Sequence, residues 1–300
     1  MENRKIWLDY LKAIAIILVV FGHSYRFLGF GIVDPKFYFV DEIIYAFHMP
    51  LFFFASGVTF KSTSVFKQGF MAYQLNKVGV LIYPAIIWCF IQSFFHINIT
   101  NQYKCEEIHC YFLPYAQFWF VYILFACFFV ASFFALFKKY SVILGCFSLF
   151  FYCFFEDVSL LGTFLLSFSF FVFGSFYDRL LNPWIALFFL MMFVLFYYFN
   201  SVFDLLGPVF GVFLVVLFSM LMNKFELPIW IKKIFIYVGQ STLIIYLVHI
   251  IIRDVFYMWF DLGDYIFIAF ALSVFLPLIF AKFIPKLLLR IDFSNKMGRL

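Results

Sequence analysis

The chain alternates between long apolar runs and short polar breaks. About ten runs are long enough to cross a bilayer as helices, at approximately 6–23, 40–60, 78–96, 117–137, 141–155, 159–177, 184–199, 205–222, 235–254 and 265–288. The fifth and seventh are short. Polar or turn-forming residues divide the runs at 61–77, 98–107, 138–139, 156–157, 178–183, 200–204, 223–233 and 261–264. This pattern predicts an all-α, polytopic transmembrane helical bundle forming a single integral-membrane domain over 1–300.

Composition narrows the class further. The 300 residues are 66% hydrophobic and 12% charged, with a mean hydropathy of +1.04. A soluble domain of this size needs a polar surface, and this chain can cover itself only with lipid. The 54 phenylalanines fit lipid-facing surface and carry no functional signal. A net charge of +5 is not read as affinity for nucleic acid, because Lys and Arg in a membrane protein mainly report orientation.

That orientation is readable. With the N-terminus in the cytoplasm and ten alternating spans, the inner side holds sixteen basic residues. They are Arg4, Lys5, Lys61, Lys67, Lys77, Lys138, Lys139, Arg179, Lys224, Lys232, Lys233, Lys282, Lys286, Arg290, Lys296 and Arg299. The outer side holds Arg26, Lys36, Lys104 and Arg253, and Lys12 falls within the membrane. The bias predicts an even number of spans with both termini cytoplasmic, in a multi-pass protein of the cell's inner (cytoplasmic) membrane. Arg4 and Lys5 before an apolar run imitate a signal peptide. Lys12 interrupts that run and no small-residue cleavage site follows, so the first helix is expected to be retained. No internal repeat stands out, which disfavours folds built from inverted repeats.

Polar residues inside apolar helices are the candidate chemistry. In the first run, Asp9, Lys12 and His23 fall within about 40° of one line at roughly 100° per residue. Lys12 and His23 lie roughly 16 Å apart along the axis. In the second run Asp41, Tyr45 and His48 share a face, with Pro50 placed to kink the helix and Ser56 and Gly57 offering close packing. In the ninth, Thr242, Tyr246, His249 and Arg253 share another. On the assigned orientation all three histidines fall toward the outer leaflet, as expected of side chains lining one outward-open polar cavity. The structural alternative is an Asp9–Lys12 packing pair, a headgroup-level His23 and hydrogen bonds from His48 and His249 that tie helices together. Trp119 reads most simply as an aromatic-belt residue. Lys61, Lys67 and Lys77, with Lys224, Lys232 and Lys233, offer cytoplasmic charge to a phosphorylated ligand or to anionic lipid.

Six cysteines are present. Cys89, Cys127, Cys146 and Cys153 lie in membrane runs and read as packing residues. Cys105 and Cys110 share an outer loop with Glu106, Glu107 and His109, where they could form a local disulfide. A zinc site from Cys105, His109 and Cys110 is the alternative, although the spacing matches no standard site.

The motif Lys12 to His23, within DYLKAIAIILVVFGH, together with FHMPLFFFASG from His48 to Gly57, resembles acyltransferase family 3, the integral-membrane O-acyltransferases of bacterial glycans. The second match is typical of the sugar O-acetyltransferase, fucose O-acetyltransferase-like branch. Weaker echoes are KVGVLIYPAI at Lys77, WFVYILF at Trp119 and STLIIYLVH ending at His249. Lys12 and Lys77 stand where the family usually has Arg, which keeps charge and loses bidentate hydrogen bonding. Some relatives carry a fused extracytoplasmic domain, and this chain is expected to be a stand-alone form.

The resemblance implies acyl-CoA, usually acetyl-CoA, as a cytoplasmic co-substrate and no permanently bound cofactor or metal. It implies a hydroxyl on a lipid-linked or extracytoplasmic glycan as acceptor. On that reading His23 and Lys12 are catalytic. Asp9, Tyr45, His48, Trp119, His249 and Arg253 bind substrate, and Lys61 and Lys77 contact the donor. The rival classes are a transporter or flippase for a glycan-related substrate, and a membrane scaffold without a catalytic site.

Overall fold

The computed structural model describes residues 5–26, 35–98, 116–135, 141–155, 159–177, 202–225, 227–260, 262–280 and 289. Among them every regular element is helical. In chain order they are α1 Ile6–Ser24, α2 Tyr38–Thr59, α3 Ser62–Gln68, α4 Phe70–Lys77, α5 Tyr83–Asn98, α6 Trp119–Ala135, α7 Ser141–Phe155, α8 Ser159–Ser175, α9 Val202–Lys224, α10 Ile229–Gln240, α11 Thr242–Trp259 and α12 Leu262–Phe280.

Among the described residues, five stretches are long and apolar enough to cross a membrane: Ile6–Ser24, Pro35–Thr59, Phe70–Phe95, Gly207–Lys224 and Thr242–Trp259. Trp119–Phe134, Ile143–Tyr152, Leu160–Ser175 and Tyr265–Ile279 are shorter apolar helices. The apolar run at 184–199 lies outside the described residues. Large side chains such as Phe213 at 65% and Phe267 at 68% exposure face outward, which suits a lipid environment and no aqueous one.

The helix boundaries differ from the hydropathy reading in instructive ways. The stretch entering α5 begins at Phe70, so Lys77 lies inside a continuous helical path instead of in a loop. A π-helical turn, Val78–Ile82, joins α4 to α5, with the Tyr83 amide donating to the Val78 carbonyl. Pro84 follows directly; it lacks an N–H and its ring crowds the preceding turn, and a widened turn relieves both. The run at 235–254 is broken at Ser241 into α10 and α11, Ser241 having φ −98° and ψ 12°. Hydropathy continues across that break and cannot reveal it. Conversely, α2 runs on through Pro50.

The described residues pack as two compact units. The first draws on Met1–Tyr45, Leu75–Tyr122 and Ser219–Leu300. Here α1 is central, contacting α10, α11 and α12, while α11 also contacts α5 and α12. Leu11, Ala13, Ala15 and Ile16 on α1 are wholly buried. Backbones touch where α1 meets α10: a Cβ on Gly239 would sit 2.0 Å from the Asp9 carbonyl oxygen. Only glycine permits that approach.

The second unit draws on Ala46–Gln74 and Ile123–Phe218. Its α2 and α8 cross at reciprocal glycines: a Cβ on Gly57 would lie 1.9 Å from the Phe171 carbonyl oxygen, and one on Gly174 would lie 2.0 Å from that of Phe54. The sequence-based expectation of close packing at Gly57 holds. Beside the crossing, the rings of Phe60, Phe128 and Phe171 pack mutually, at 4.9 Å between Phe128 and Phe171. The Ser148 hydroxyl donates to the Leu165 carbonyl at 2.8 Å and ties α7 to α8.

Candidate active site

Four of the residues singled out from sequence come together in the first unit. His23 ends α1 and is half-buried. Its ring lies 5.4 Å from that of His249 on α11 and 6.2 Å from that of Tyr45 on α2. The Tyr45 hydroxyl sits 3.4 Å from His23 Nδ1. Arg253, one turn beyond His249, places Nη1 2.9 Å from the His23 carbonyl oxygen. His23 from the face read on α1, Tyr45 from that on α2, and His249 and Arg253 from that on α11 thus meet here.

His249 is held in one tautomer. Its Nδ1 lies 3.0 Å and 2.8 Å from the carbonyls of Ile245 and Tyr246, which only accept, so Nδ1 carries the proton. In the neutral ring Nε2 is then a bare lone pair. It is buried and, among the described residues, has no hydrogen-bond partner. A buried acceptor left in this state is costly unless something donates to it. A substrate hydroxyl has the required chemistry.

Residues that the sequence reading passed over frame the cluster. Arg26 grips Asp41 through two bonds, Nε to Oδ1 at 3.0 Å and Nη2 to Oδ2 at 2.8 Å, and its guanidinium lies 3.5 Å over the Tyr45 ring. This clasp fastens the end of α1 to the start of α2 and sets the Tyr45 phenol toward His23. Tyr25 stacks on Phe37 at 4.8 Å, and burial, reinforced by the Asp41 carboxylate, pushes its phenol above the ordinary value, so it stays neutral. Asp254 and Tyr257 join Arg253 at the end of α1. Arg26 had registered only as an outer-side charge. The signal available for Asp254 was its place beside Arg253 in an apolar helix, where a cation needs a partner.

The remaining site residues occupy separate positions. Asp9 is buried and Lys12 half-buried on α1, Lys12 being eleven residues and roughly 16 Å below His23. Trp119, half-buried, opens α6. Its neighbours Phe118 and Phe120 pack on the Tyr246 ring at 6.5 Å and 5.4 Å, and the Tyr246 hydroxyl donates to the Gln117 carbonyl. Gln117 also pairs with Gln92 through both amides, at 2.8 Å and 3.5 Å, with both side chains buried. This fastens the start of α6 to α5 and α11. Lys77 is half-buried at the end of α4. His48 is buried, at 3% exposure, and belongs with exposed Lys61 to the second unit. Cys105, His109 and Cys110 lie outside the described residues. Among the described residues no cluster of metal-ligating side chains forms, and Cys89, Cys127 and Cys146 are not in disulfides.

Long apolar helices around a half-buried and a buried imidazole define a multi-pass membrane protein with a polar centre. The profile described as an acyltransferase domain matches residues 5–282, and the chain belongs to this family, acyltransferase family 3. Among curated proteins it is similar to nodulation protein NolL of Sinorhizobium fredii, 29% identical over 155 residues, which is 47% of this chain and 39% of the relative. It is also similar to NolL of Mesorhizobium japonicum, 33% identical over 91 residues, which is 29% of this chain and 24% of the relative. The matches therefore span well under half the length of these relatives. No solved structure matches the chain.

Proposed function

We propose that the protein is a membrane O-acyltransferase of the inner membrane. In this reading it moves an acyl group, acetyl in the first instance, from cytoplasmic acyl-CoA to a hydroxyl of a cell-surface glycan or its lipid-linked precursor. The observation that carries the reading is the His23 ring 5.4 Å from that of His249, whose buried Nε2 has no hydrogen-bond partner among the described residues, inside a chain of the acyltransferase family. Ten spans with both termini cytoplasmic would put the donor side at Lys61 and Lys77 and the histidines toward the outer leaflet.

The chemistry follows from the groups present. A sugar hydroxyl is a poor nucleophile at neutral pH and needs a base as it attacks the thioester carbonyl. In the tautomer that donates Nδ1–H to the Tyr45 oxygen, His23 takes the hydroxyl proton on Nε2. The new ester C–O bond forms, the C–S bond breaks, and the CoA thiolate takes up the proton. His249 Nε2 accepts a second hydroxyl of the acceptor and orients it. Lys12 contacts the donor from lower on α1, with Asp9 beside it. Trp119 offers a flat apolar face to a sugar ring.

Incubating membranes with radiolabelled acetyl-CoA and isolating glycan tests the reading. Label in glycan, dependent on this protein, is the expected result; glycan crossing the membrane without any label would support a transporter instead. Replacing His249 with alanine is expected to lower the transfer rate by about tenfold or more through loss of acceptor orientation. Transfer assays across acceptor concentrations check this, and an unchanged rate at every concentration removes His249 from the site.

A further inference from the structure

We propose that Arg253, Asp254 and Tyr257 are positioning residues that clamp the C-terminal end of α1 and so aim the His23 imidazole. The proposal rests on the reading of His23 as catalytic. The last carbonyls of a helix have no intrahelical partner. At the end of α1 these are carbonyls such as those of His23 and Ser24, and Tyr25 after them has φ −103° and ψ 5°, not the left-handed turn that commonly satisfies such groups. Ser24 and Tyr25 are buried, at 1% and 0% exposure, so water is no ready substitute there. Side chains of α11, 230 and 233 residues further on, answer instead: Arg253 Nη1 donates to the His23 carbonyl at 2.9 Å, and the Tyr257 hydroxyl donates to that of Ser24. A cation at a helix C-terminus also complements the helix dipole.

The guanidinium is itself locked. Its Nε and Nη2 both reach Asp254 Oδ1, at 2.7 Å and 2.6 Å, leaving Nη1 directed at α1. Arg253 is 7% and Asp254 0% exposed. A buried ion pair contributes little net stability over a well-packed apolar pair, so its value here lies in geometry. The tie ends on the carbonyl of the catalytic residue itself and begins one turn from His249. The spacing of the two imidazoles, 5.4 Å between ring centres, is therefore set by one short connector. A guanidinium committed in this way is a fixture of the site, distinct from one that grips substrate.

The test uses R253M, D254L, the double variant R253M/D254L, R253K and Y257F, alongside H23A, in native membranes. Each single charge removal strands a buried ion, so low protein levels are expected for R253M and D254L. The double variant removes both charges and is expected to accumulate normally, with kcat reduced by about 100-fold and the KM for acceptor within about twofold, as misplacement of a catalytic group produces. R253K keeps a donor for the His23 carbonyl and is expected to restore part of kcat. Tyr257→Phe removes one hydroxyl and no charge, so it folds, and it is expected to lower kcat by about tenfold at unchanged KM. Wild-type kcat in the double variant, or in Y257F should the double variant not accumulate, overturns the proposal. A large rise in acceptor KM at constant kcat also overturns it and makes Arg253 a substrate-binding group. Full transfer by H23A is a separate result: it removes the catalytic reading itself.

Discussion

Replacing His23 with alanine is expected to reduce acyl transfer by about 10²- to 10⁴-fold, the usual contribution of a positioned general base, while the protein still reaches the membrane. Both parts of that expectation come from geometry. The His23 side chain is half-buried and points among Tyr45 and His249, so its loss removes a reactive group without opening the core of α1, which is built from Leu11, Ala13, Ala15 and Ile16. The contacts that hold the helix end, from Arg253 and Tyr257, go to backbone carbonyls and survive the substitution. Transfer measured at equal protein levels checks the result.

The second large effect lies in folding. Alanine at Gly57 or Gly174 puts a Cβ about where a backbone oxygen of the partner helix already stands, at 1.9 Å and 2.0 Å. Backbone cannot swing aside as a side-chain tip can, so α2 and α8 must separate, at a cost of at least about 1–3 kcal/mol for each substitution. Within membranes, helix association depends on such close approach, because lipid offers no hydrophobic gain to compensate. Either variant is expected to lower the thermal midpoint in detergent and the yield of folded protein. The two substitutions together should cost less than the sum of the singles, because one separation of the helices accommodates both. Thermal unfolding of both singles and the double reads this directly. A wild-type midpoint in either single would mean that the helices do not cross there.

Much of this was legible in the sequence for a plain physical reason. A polar side chain in an apolar helix must find a partner, so Asp41, Tyr45, His249 and Arg253 announced themselves, and helical periodicity gave the faces on which they meet. Gly57 could be read as a packing residue for the same kind of reason. The clamp on α1 could not be read. Arg253 and Tyr257 bond to backbone carbonyls of His23 and Ser24, and carbonyls are common to every residue type. Nor could the break at Ser241 or the π turn before Pro84, since hydropathy runs unbroken through both. Lys77, taken from its charge as a loop residue, stands within a helical path because its neighbours continue the helix.

The most direct test of the catalytic account is chemical rescue. Transfer of label from acetyl-CoA to glycan is followed in His23→Ala membranes as free imidazole is added. A missing base restored in solution should raise the rate in proportion to imidazole, with no such rise in the Gly57→Ala protein. Wild-type transfer by His23→Ala before any imidazole is added would contradict the account.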